Sequence, residues 1–202
     1  RTARRASKIF GVSPIAVNHL KDCGIHNAQL LLNGPGTTPP GLHEDESPRT
    51  HRHSRKPGGQ RTLVTLGQFI ERKGLTVLLN ALGRIVESHD VRVMHISGGG
   101  TPPEQITRLV HDLGLEDRVD FLGHQPNQRV LEIMSDADLF VLPSWDESFG
   151  IVYAEALSVG TPVVLTHSCG FAQFMTDGIH GRIVEPRSVD SLASALDDLL
   201  TR

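Results

Sequence analysis

The chain has 202 residues, a formal net charge of −3 and two cysteines, Cys23 and Cys169, a length that allows one sizeable hydrophobic core or one domain and part of another. The charge balance gives no argument for nucleic-acid binding, and the cysteines match no metal or disulfide spacing and suit a reducing compartment. Because no apolar run approaches bilayer-spanning length and the first residues lack a signal peptide's hydrophobic stretch, we expect a cytoplasmic protein.

The first 36 residues predict a strand, a helix and a second strand. The first strand covers Lys8 to Ser13, and Ser13 and Pro14 are suited to cap and open a helix that ends at Gly24. The second strand covers Ala28 to Leu32. Both ends of the chain look cut, and these two strands precede the main strand–helix repeat.

Residues 37–61 are rich in proline, glycine, histidine and charge, which predicts a flexible polar connector. Its histidines include His43, His51 and His53. Histidines without a folded surrounding shell are usually solvated. We therefore expect no metal site in this segment.

Residues 62–202 alternate between predicted strands and helices. Such alternation predicts a doubly wound parallel sheet, an α/β fold in which ligands bind beyond the carboxyl ends of the strands. Glycine-rich or polar segments stand at several of those ends and are expected to converge: Gly67, Gly98 to Gly100, Gly123 and Ser144 to Gly150. The predicted strands are 63–66, 91–97, 119–123, 139–142, 162–165 and 181–184, with helices around 77–85, 106–113, 130–134, 151–159 and 188–200 and a short helix over 171–175.

Two carboxylates eight positions apart, Glu147 and Glu155, flank the start of the helix predicted over 151–159. The free amides of Phe149 and Gly150 and the positive helix end favour a phosphate site there. The two carboxylates would accept hydrogen bonds from hydroxyls on either side of a bound diphosphate, as a nucleotide-sugar site requires. The alternative is that both glutamates are solvated and stabilise the helix dipole.

Motifs in chain order carry a resemblance to a known family. They resemble the C-terminal, donor-binding half of retaining GT-B glycosyltransferases of family four (glycosyl transferases group 1), from about Ser7 to the end without the connector. The resemblance implies a Rossmann-like nucleotide-sugar-binding domain over 62–202 and makes 1–36 a remnant of the N-terminal GT-B domain. The motifs are Gly67 with Lys73-Gly74, Gly98-Gly99-Gly100, Phe121-Leu122-Gly123, Pro143-Ser144, Glu147, Glu155-Ala156, Gly160-Thr161-Pro162-Val163-Val164 and Asp177-Gly178 with Gly181.

The resemblance also implies roles for individual residues. Glu147 would contact the donor sugar and Lys73 would neutralise the diphosphate, as the catalytic pair, while Glu155 would bind the ribose. No metal and no cofactor is implied besides the nucleoside-diphosphate-sugar donor. A solvated lysine remains the alternative for Lys73, and core packing remains at least as good an interpretation for Phe121 and Tyr153. The remaining donor-binding residues would be the amides of Ser148, Phe149 and Gly150, with Gly67, Gln68, Phe121, Gly123 and His124.

Two positions depart from the family pattern. Gln68 stands where an arginine usually follows the glycine of the first strand, and loss of that charged hydrogen bond costs on the order of 1.5–3 kcal/mol. Arg72 is a candidate replacement for this cation. The usual Asn-Gly-Val-Asp is Asn33-Gly34-Pro35-Gly36, which lacks the acidic residue. Both departures predict weakened or altered donor binding.

The function expected from the resemblance is retaining transfer of a hexose to an unknown acceptor in carbohydrate biosynthesis. The missing N-terminal domain would bind a saccharide or lipid-linked acceptor, and peripheral contact with the cytoplasmic face of a membrane is compatible with this. The fragment alone is expected to bind the donor without efficient transfer. The alternative is a non-catalytic nucleotide-binding or interaction module. A dinucleotide-dependent oxidoreductase is a distant third, because Gly98-Gly99-Gly100 is not G-x-G-x-x-G.

Overall fold

The computed structural model describes residues 59–201 and, nearer the N terminus, residues 9–11, 17, 20–22 and 28–30. Strand β1 (Ile9–Gly11) pairs in parallel with β2 (Ala28–Leu30), and residues 17 and 20–22 between them are helical. The predicted strand–helix–strand order is confirmed at these residues. Cys23, the segment Asn33-Gly34-Pro35-Gly36 and the three connector histidines lie outside the described residues.

The remaining elements form one α/β unit whose strands and helices alternate as predicted. The short helix predicted over 171–175 is a 3₁₀ helix at Ala172–Phe174, and a second 3₁₀ helix covers Glu71–Lys73. The first strand of this unit begins one residue before the predicted domain boundary at 62. The elements are β3 (Arg61–Leu66), α1 (Leu75–Ile85), β4 (Val91–Ile96), α2 (Glu104–Asp112), β5 (Val119–Gly123), α3 (Asn127–Asp136), β6 (Leu139–Val141), α4 (Ile151–Ser158), β7 (Val163–Thr166), β8 (Gly181–Val184) and α5 (Val189–Thr201).

Six strands form one parallel sheet in the order β5-β4-β3-β6-β7-β8. The chain moves outward from β3 through β4 to β5, and then returns to pair β6 with the other side of β3. This is the doubly wound arrangement, and the order reverses between β3 and β6. The carboxyl ends of β3 and β6 are therefore neighbours at the topological switch point.

Alternating side chains of the strands fill two separate cores, one on each face of the sheet. Leu63 belongs to the core that contains α1, α2 and α5, whereas its neighbour Val64 belongs to the core that contains α3 and α4. Val141 and Leu142 divide in the same way at the end of β6. Because both faces are covered, the central strands consist of nearly continuous apolar runs.

Helix α5 packs against α1 on the first face. Its stripe of Leu192, Leu196 and Leu200 is buried in the same core as α1. An ion pair between Arg84 and Asp190 and a hydrogen bond between His89 and Asp197 border this contact. Through its contact with α1, helix α5 holds the segment after β8 close to the segment after β3.

Within the described residues, no helix combines the length and apolarity needed to cross a membrane. The same residues contain no cluster of three or more histidine, cysteine, aspartate or glutamate side chains placed to hold a metal ion.

Candidate functional site

The loops that follow β3 and β6 meet at the switch point and carry the central charged pair. Lys73 Nζ donates a hydrogen bond to Glu147 Oε2 at 2.5 Å, although the two residues are 74 positions apart in the chain. Their side chains are only 20% and 18% exposed. The two residues that the resemblance implies as catalytic are therefore brought together, in a setting where solvent screens their charges less than at an open surface.

Two glycines allow Lys73 to take this position. A Cβ at Gly67 would lie 3.2 Å from Lys73 Cγ, so the lysine stem runs over the glycine at the end of β3. Gly74 has φ 73° and a Cβ there would lie 2.3 Å from the backbone oxygen of Pro143. Only glycine fits this backbone conformation and this close approach. The chain after β3 thus turns sharply against the end of β6.

Hydrogen bonds from neighbouring loops hold the loop that carries Glu147. The Ser144 hydroxyl and the Trp145 amide both donate to the backbone oxygen of Arg72, each at 2.9 Å. The Gly170 amide donates to the backbone oxygen of Glu147 at 2.9 Å, and the Thr166 hydroxyl donates to that of Ser144. The loop is therefore attached to the segments that follow both β3 and β7.

The start of α4 is shaped by close packing around Gly150. This glycine has φ 83°, and a Cβ there would lie 2.4 Å from Tyr153 Cε2 and 3.2 Å from Cys169 Sγ. Tyr153 is fully buried and donates its hydroxyl to the backbone oxygen of Leu142 at 2.8 Å. Burial raises the pKa of both the Tyr153 phenol and the Cys169 thiol, the latter to about 11. Tyr153 is thus a core residue, and Cys169 a protonated thiol that donates to the Phe149 oxygen.

The amides of Ser148, Phe149 and Gly150 donate to no protein acceptor among residues 59–201. They precede α4, whose first-turn amides carry the positive end of the helix dipole. The ring of Phe149, by contrast, is buried in the aromatic cluster with Phe171 and Phe174. The backbone of this segment is therefore available to an anion while its aromatic side chain fixes the segment to the core.

Glu155 lies on the second turn of α4 and is partly buried. Its carboxylate has no hydrogen-bond or ion-pair partner among the described residues, and desolvation raises its pKa. A desolvated carboxylate without a cation is unfavourable for stability. This arrangement favours a ligand-binding role over the solvated, dipole-stabilising alternative.

The other predicted site residues lie further along the carboxyl edge of the sheet. Gln68 is exposed, with its Cγ 3.9 Å from where a Cβ on Gly98 would be. Phe121, Gly123 and His124 lie at the end of β5, two strands from β3, and no hydrogen bond among the described residues joins them to Lys73 or Glu147. His124 is exposed, and Gly123 has φ 65° with open space beside it.

Phe121 is tied to a buried histidine that the sequence interpretation overlooked. His95 on β4 is 2% exposed, stacks on Phe69 with ring centroids 4.7 Å apart and meets Phe121 edge-on at 5.8 Å. Its Nδ1 is buried without a hydrogen-bond partner among the described residues, and burial lowers the pKa of His95 to about 4. A packing role for Phe121 is therefore observed, while its role toward a ligand stays a prediction.

Sequence interpretation also missed Trp145 and Arg187. The Arg187 guanidinium lies 4.7 Å above the centre of the Trp145 ring, two residues before Glu147. The signal that could have identified Trp145 from the sequence is that it is the single tryptophan of the chain. The Arg72 side chain, a candidate second cation, reaches toward this loop, with Nη1 3.4 Å from the Asp146 oxygen.

Comparisons with known proteins agree on one family. The family model described as glycosyl transferases group 1 matches residues 46–202. D-inositol 3-phosphate glycosyltransferase of Mycolicibacterium smegmatis is 32% identical over 150 residues, which cover 72% of this chain and 34% of that protein. The GDP-mannose-dependent alpha-(1-6)-phosphatidylinositol monomannoside mannosyltransferase of Mycobacterium tuberculosis is 32% identical over 181 residues, covering 86% of this chain and 47% of that protein.

Solved structures share the fold. Sucrose-phosphate synthase from Thermosynechococcus elongatus superposes with a TM-score of 0.80 at 24% identity, over 98% of this chain and 50% of that one. Anabaena HepE in complex with UDP and glucose gives a TM-score of 0.78 at 19% identity, over 98% of this chain and 54% of that one. The chain thus spans about half the length of these structures, and less than half of the two relatives above.

Proposed function

The chain belongs to the glycosyl transferases group 1 family, and from that premise we propose that it supplies the donor-binding half of a retaining hexosyltransferase. The donor would be a nucleoside-diphosphate sugar and the acceptor a saccharide or a lipid-linked sugar. The observation that carries this proposal is the pair formed by Lys73 and Glu147 at the switch point, beside amides without protein acceptors among residues 59–201. Such a site offers charge to a diphosphate and a carboxylate to a sugar.

In the proposed mechanism, the developing negative charge is on the leaving nucleoside diphosphate. Lys73 would lie against its phosphate oxygens, and the amides of Ser148, Phe149 and Gly150 would donate to them with the dipole of α4 behind. Donors fixed in place before the reaction stabilise charge most effectively where it develops. We propose that this protein charge makes transfer independent of a divalent metal.

Glu147 would accept hydrogen bonds from hydroxyls of the donor sugar, and Glu155 from those of the ribose. The desolvated carboxylate of Glu155 supports this role, because two ribose hydroxyls would supply donors that the described residues do not. Gln68 would lie beside the diphosphate without adding charge. Phe121, Gly123 and His124, at the end of β5, would lie near the base.

The relatives do not agree on one nucleotide. The Mycobacterium tuberculosis protein is named for GDP-mannose, whereas the Anabaena structure contains UDP and glucose. We therefore propose a nucleoside-diphosphate sugar as the class of donor, and a cytoplasmic location for the enzyme. We expect this chain on its own to bind the donor and to transfer the sugar poorly, because it spans about half the length of its relatives and the acceptor would bind the other half.

Calorimetric titration of the chain with UDP, GDP and ADP, each with and without Mg²⁺, tests the proposal. We expect one nucleotide to bind without the metal, and Lys73→Gln to weaken that binding at least tenfold. Lys21→Gln, at an exposed lysine, is the matched control and should leave it unchanged. If none of the three nucleotides bound, the non-catalytic alternative would replace the proposal.

A further inference from the structure

Two residues with strained backbone conformations both adjoin Trp145, next to the proposed donor site. Asp146 and Arg187, with φ 64° and 59°, are the residues other than glycine that adopt positive φ among those described. This region is unfavourable for side chains with a Cβ and persists where the surrounding structure enforces it, often at functional sites. Asp146 follows Trp145 directly, and Arg187 stacks on the Trp145 ring.

The contact with Trp145 explains why an arginine stands at position 187. Its guanidinium lies 4.7 Å from the ring centre, and it forms no ion pair with any described carboxylate. Glycine would adopt the same backbone conformation with less strain but would leave the indole uncovered. A planar guanidinium over an indole face is a favourable cation–π arrangement.

Trp145 is held from its other sides as well. Its amide donates to the backbone oxygen of Arg72 at 2.9 Å, and its ring packs against the core that contains α1 and α5. Only Asp146 separates Trp145 from Glu147, whose carboxylate contacts Lys73. A displacement of the indole would therefore displace the carboxylate and the amides that follow it.

We propose that Arg187 is a positioning residue for the donor site. By stacking on Trp145, it holds the loop from Ser144 to Gly150 in the conformation that presents Glu147 and the free amides to the ligand. The identity of that ligand rests on the proposed function. Arg187 itself lies in the connection between β8 and α5 and acts through Trp145.

The chain contains its own probe for this role, because Trp145 is its single tryptophan. Arg187→Gln keeps a side chain and the strained backbone but removes the cation, whereas Arg187→Gly relieves the strain and removes the stack. Arg129→Gln, at an exposed arginine on α3, is the matched control. Acrylamide quenching of Trp145 fluorescence measures the loop without ligand, and titration with UDP, GDP and ADP measures the donor site.

We expect both Arg187 substitutions to increase acrylamide quenching at least 1.5-fold and to weaken nucleotide binding threefold to tenfold, with the control unchanged. Arg187→Gly should do so without lowering the midpoint of thermal unfolding, which separates positioning from a loss of stability. Unchanged quenching, or nucleotide affinity equal to that of the unsubstituted chain, would overturn the role of Arg187 while leaving the proposed function standing. If the unsubstituted chain bound no nucleotide, the proposed function would fail and Arg187 would lose its role at a donor site.

Discussion

Lys73 Nζ lies 2.5 Å from Glu147 Oε2, so that each side chain neutralises the other across the switch point. A diphosphate that binds Lys73 must share this cation with the carboxylate, and the carboxylate repels the phosphate charge. The sugar of a complete donor would compensate Glu147 with hydroxyl hydrogen bonds, which a free nucleoside diphosphate cannot provide. The pair therefore favours the intact donor over the nucleotide product.

Glu147→Gln is accordingly expected to change the affinities of these two ligands in opposite directions. The substitution would free Lys73 from Glu147 and remove the repulsion between Glu147 and the phosphates, together worth about 1 kcal/mol. Binding of the free nucleoside diphosphate should therefore tighten about fivefold. The sugar conjugate gains the same ~1 kcal/mol at its diphosphate but loses charged hydrogen bonds to the sugar worth about 1.5–3 kcal/mol, so its binding should weaken by about twofold to thirtyfold. Calorimetry with both ligands measures the two effects, with the half-exposed Glu132→Gln on α3 as control; equal weakening of both would contradict competition for Lys73.

Glu155→Gln should weaken nucleotide binding and stabilise the protein. The pKa of Glu155 is raised by burial, so the ionised form is disfavoured in the folded state, and at neutral pH an uncharged amide removes that cost. As pH falls toward the raised pKa, this destabilisation disappears in the unsubstituted chain. Urea unfolding at pH 7 and pH 5 measures the change, and a substitution that lowered stability at pH 7 would argue against the desolvated carboxylate.

Gln68→Arg is expected to strengthen binding of the nucleoside diphosphate. The resemblance to the family implies an arginine at this position, and the exposed side chain of Gln68 leaves space for the larger residue. One charged hydrogen bond of about 1.5–3 kcal/mol corresponds to a gain of about tenfold or more. Gln128→Arg on α3 adds the same charge elsewhere and should have little effect. Equal gains from both substitutions would indicate nonspecific attraction.

His95 should make the fold sensitive to acid. Because its pKa is lowered from 6.5 to about 4 in the folded state, the unfolded chain binds the proton more tightly. The stability contributed by neutral His95 is complete above pH 6.5 and falls toward pH 4, by up to roughly 3 kcal/mol. His95→Phe keeps an aromatic ring against Phe69 and should flatten this part of the stability profile in urea unfolding. The exposed His111→Asn should retain the full acid loss.

Alanine at two glycines tests the packing around α4. Gly150 and Gly160 have similar φ values of 83° and 85°. A Cβ at Gly150 would lie 2.4 Å from the Tyr153 ring, whereas no described residue comes within 4 Å of a Cβ at Gly160. Gly160→Ala should cost about 1–2 kcal/mol from backbone conformation alone. Gly150→Ala should cost roughly 1–3 kcal/mol more because the ring must move. Thermal unfolding of both variants compares the two costs, and equal losses would refute the close contact.

Much of the architecture could be predicted because apolar runs and glycine-rich ends follow simple rules. The run from Leu139 to Leu142 predicted a strand buried on both faces, and β6 confirms it. The order of the strands was less accessible. Residues 74 positions apart, such as Lys73 and Glu147, come into contact only because β6 pairs with β3. The alternation of strands and helices predicted that the strand ends converge, and the resemblance implied that Lys73 and Glu147 act in one site.

Other features of the site had weaker signals. His95 occupies the same face of β4 as the buried Val91 and Val93, so the strand pattern predicts that its side chain is buried. The pattern does not mark a histidine at this position as part of the site. No sequence pattern indicates the positive φ at Arg187, because arginine rarely adopts this conformation. Its contact with Trp145 depends on how the connection between β8 and α5 packs against the loop after β6, which is a property of tertiary packing.

The close approach of Gly74 to Pro143 has a consequence for evolution and engineering. Since the loops after β3 and β6 touch backbone to backbone, neither can change its course without the other. Substitutions in the two loops should therefore be inherited together, and natural variants should differ in both or in neither. A designer who grafts the nucleotide preference of a relative onto this chain would have to transplant the two loops as one unit.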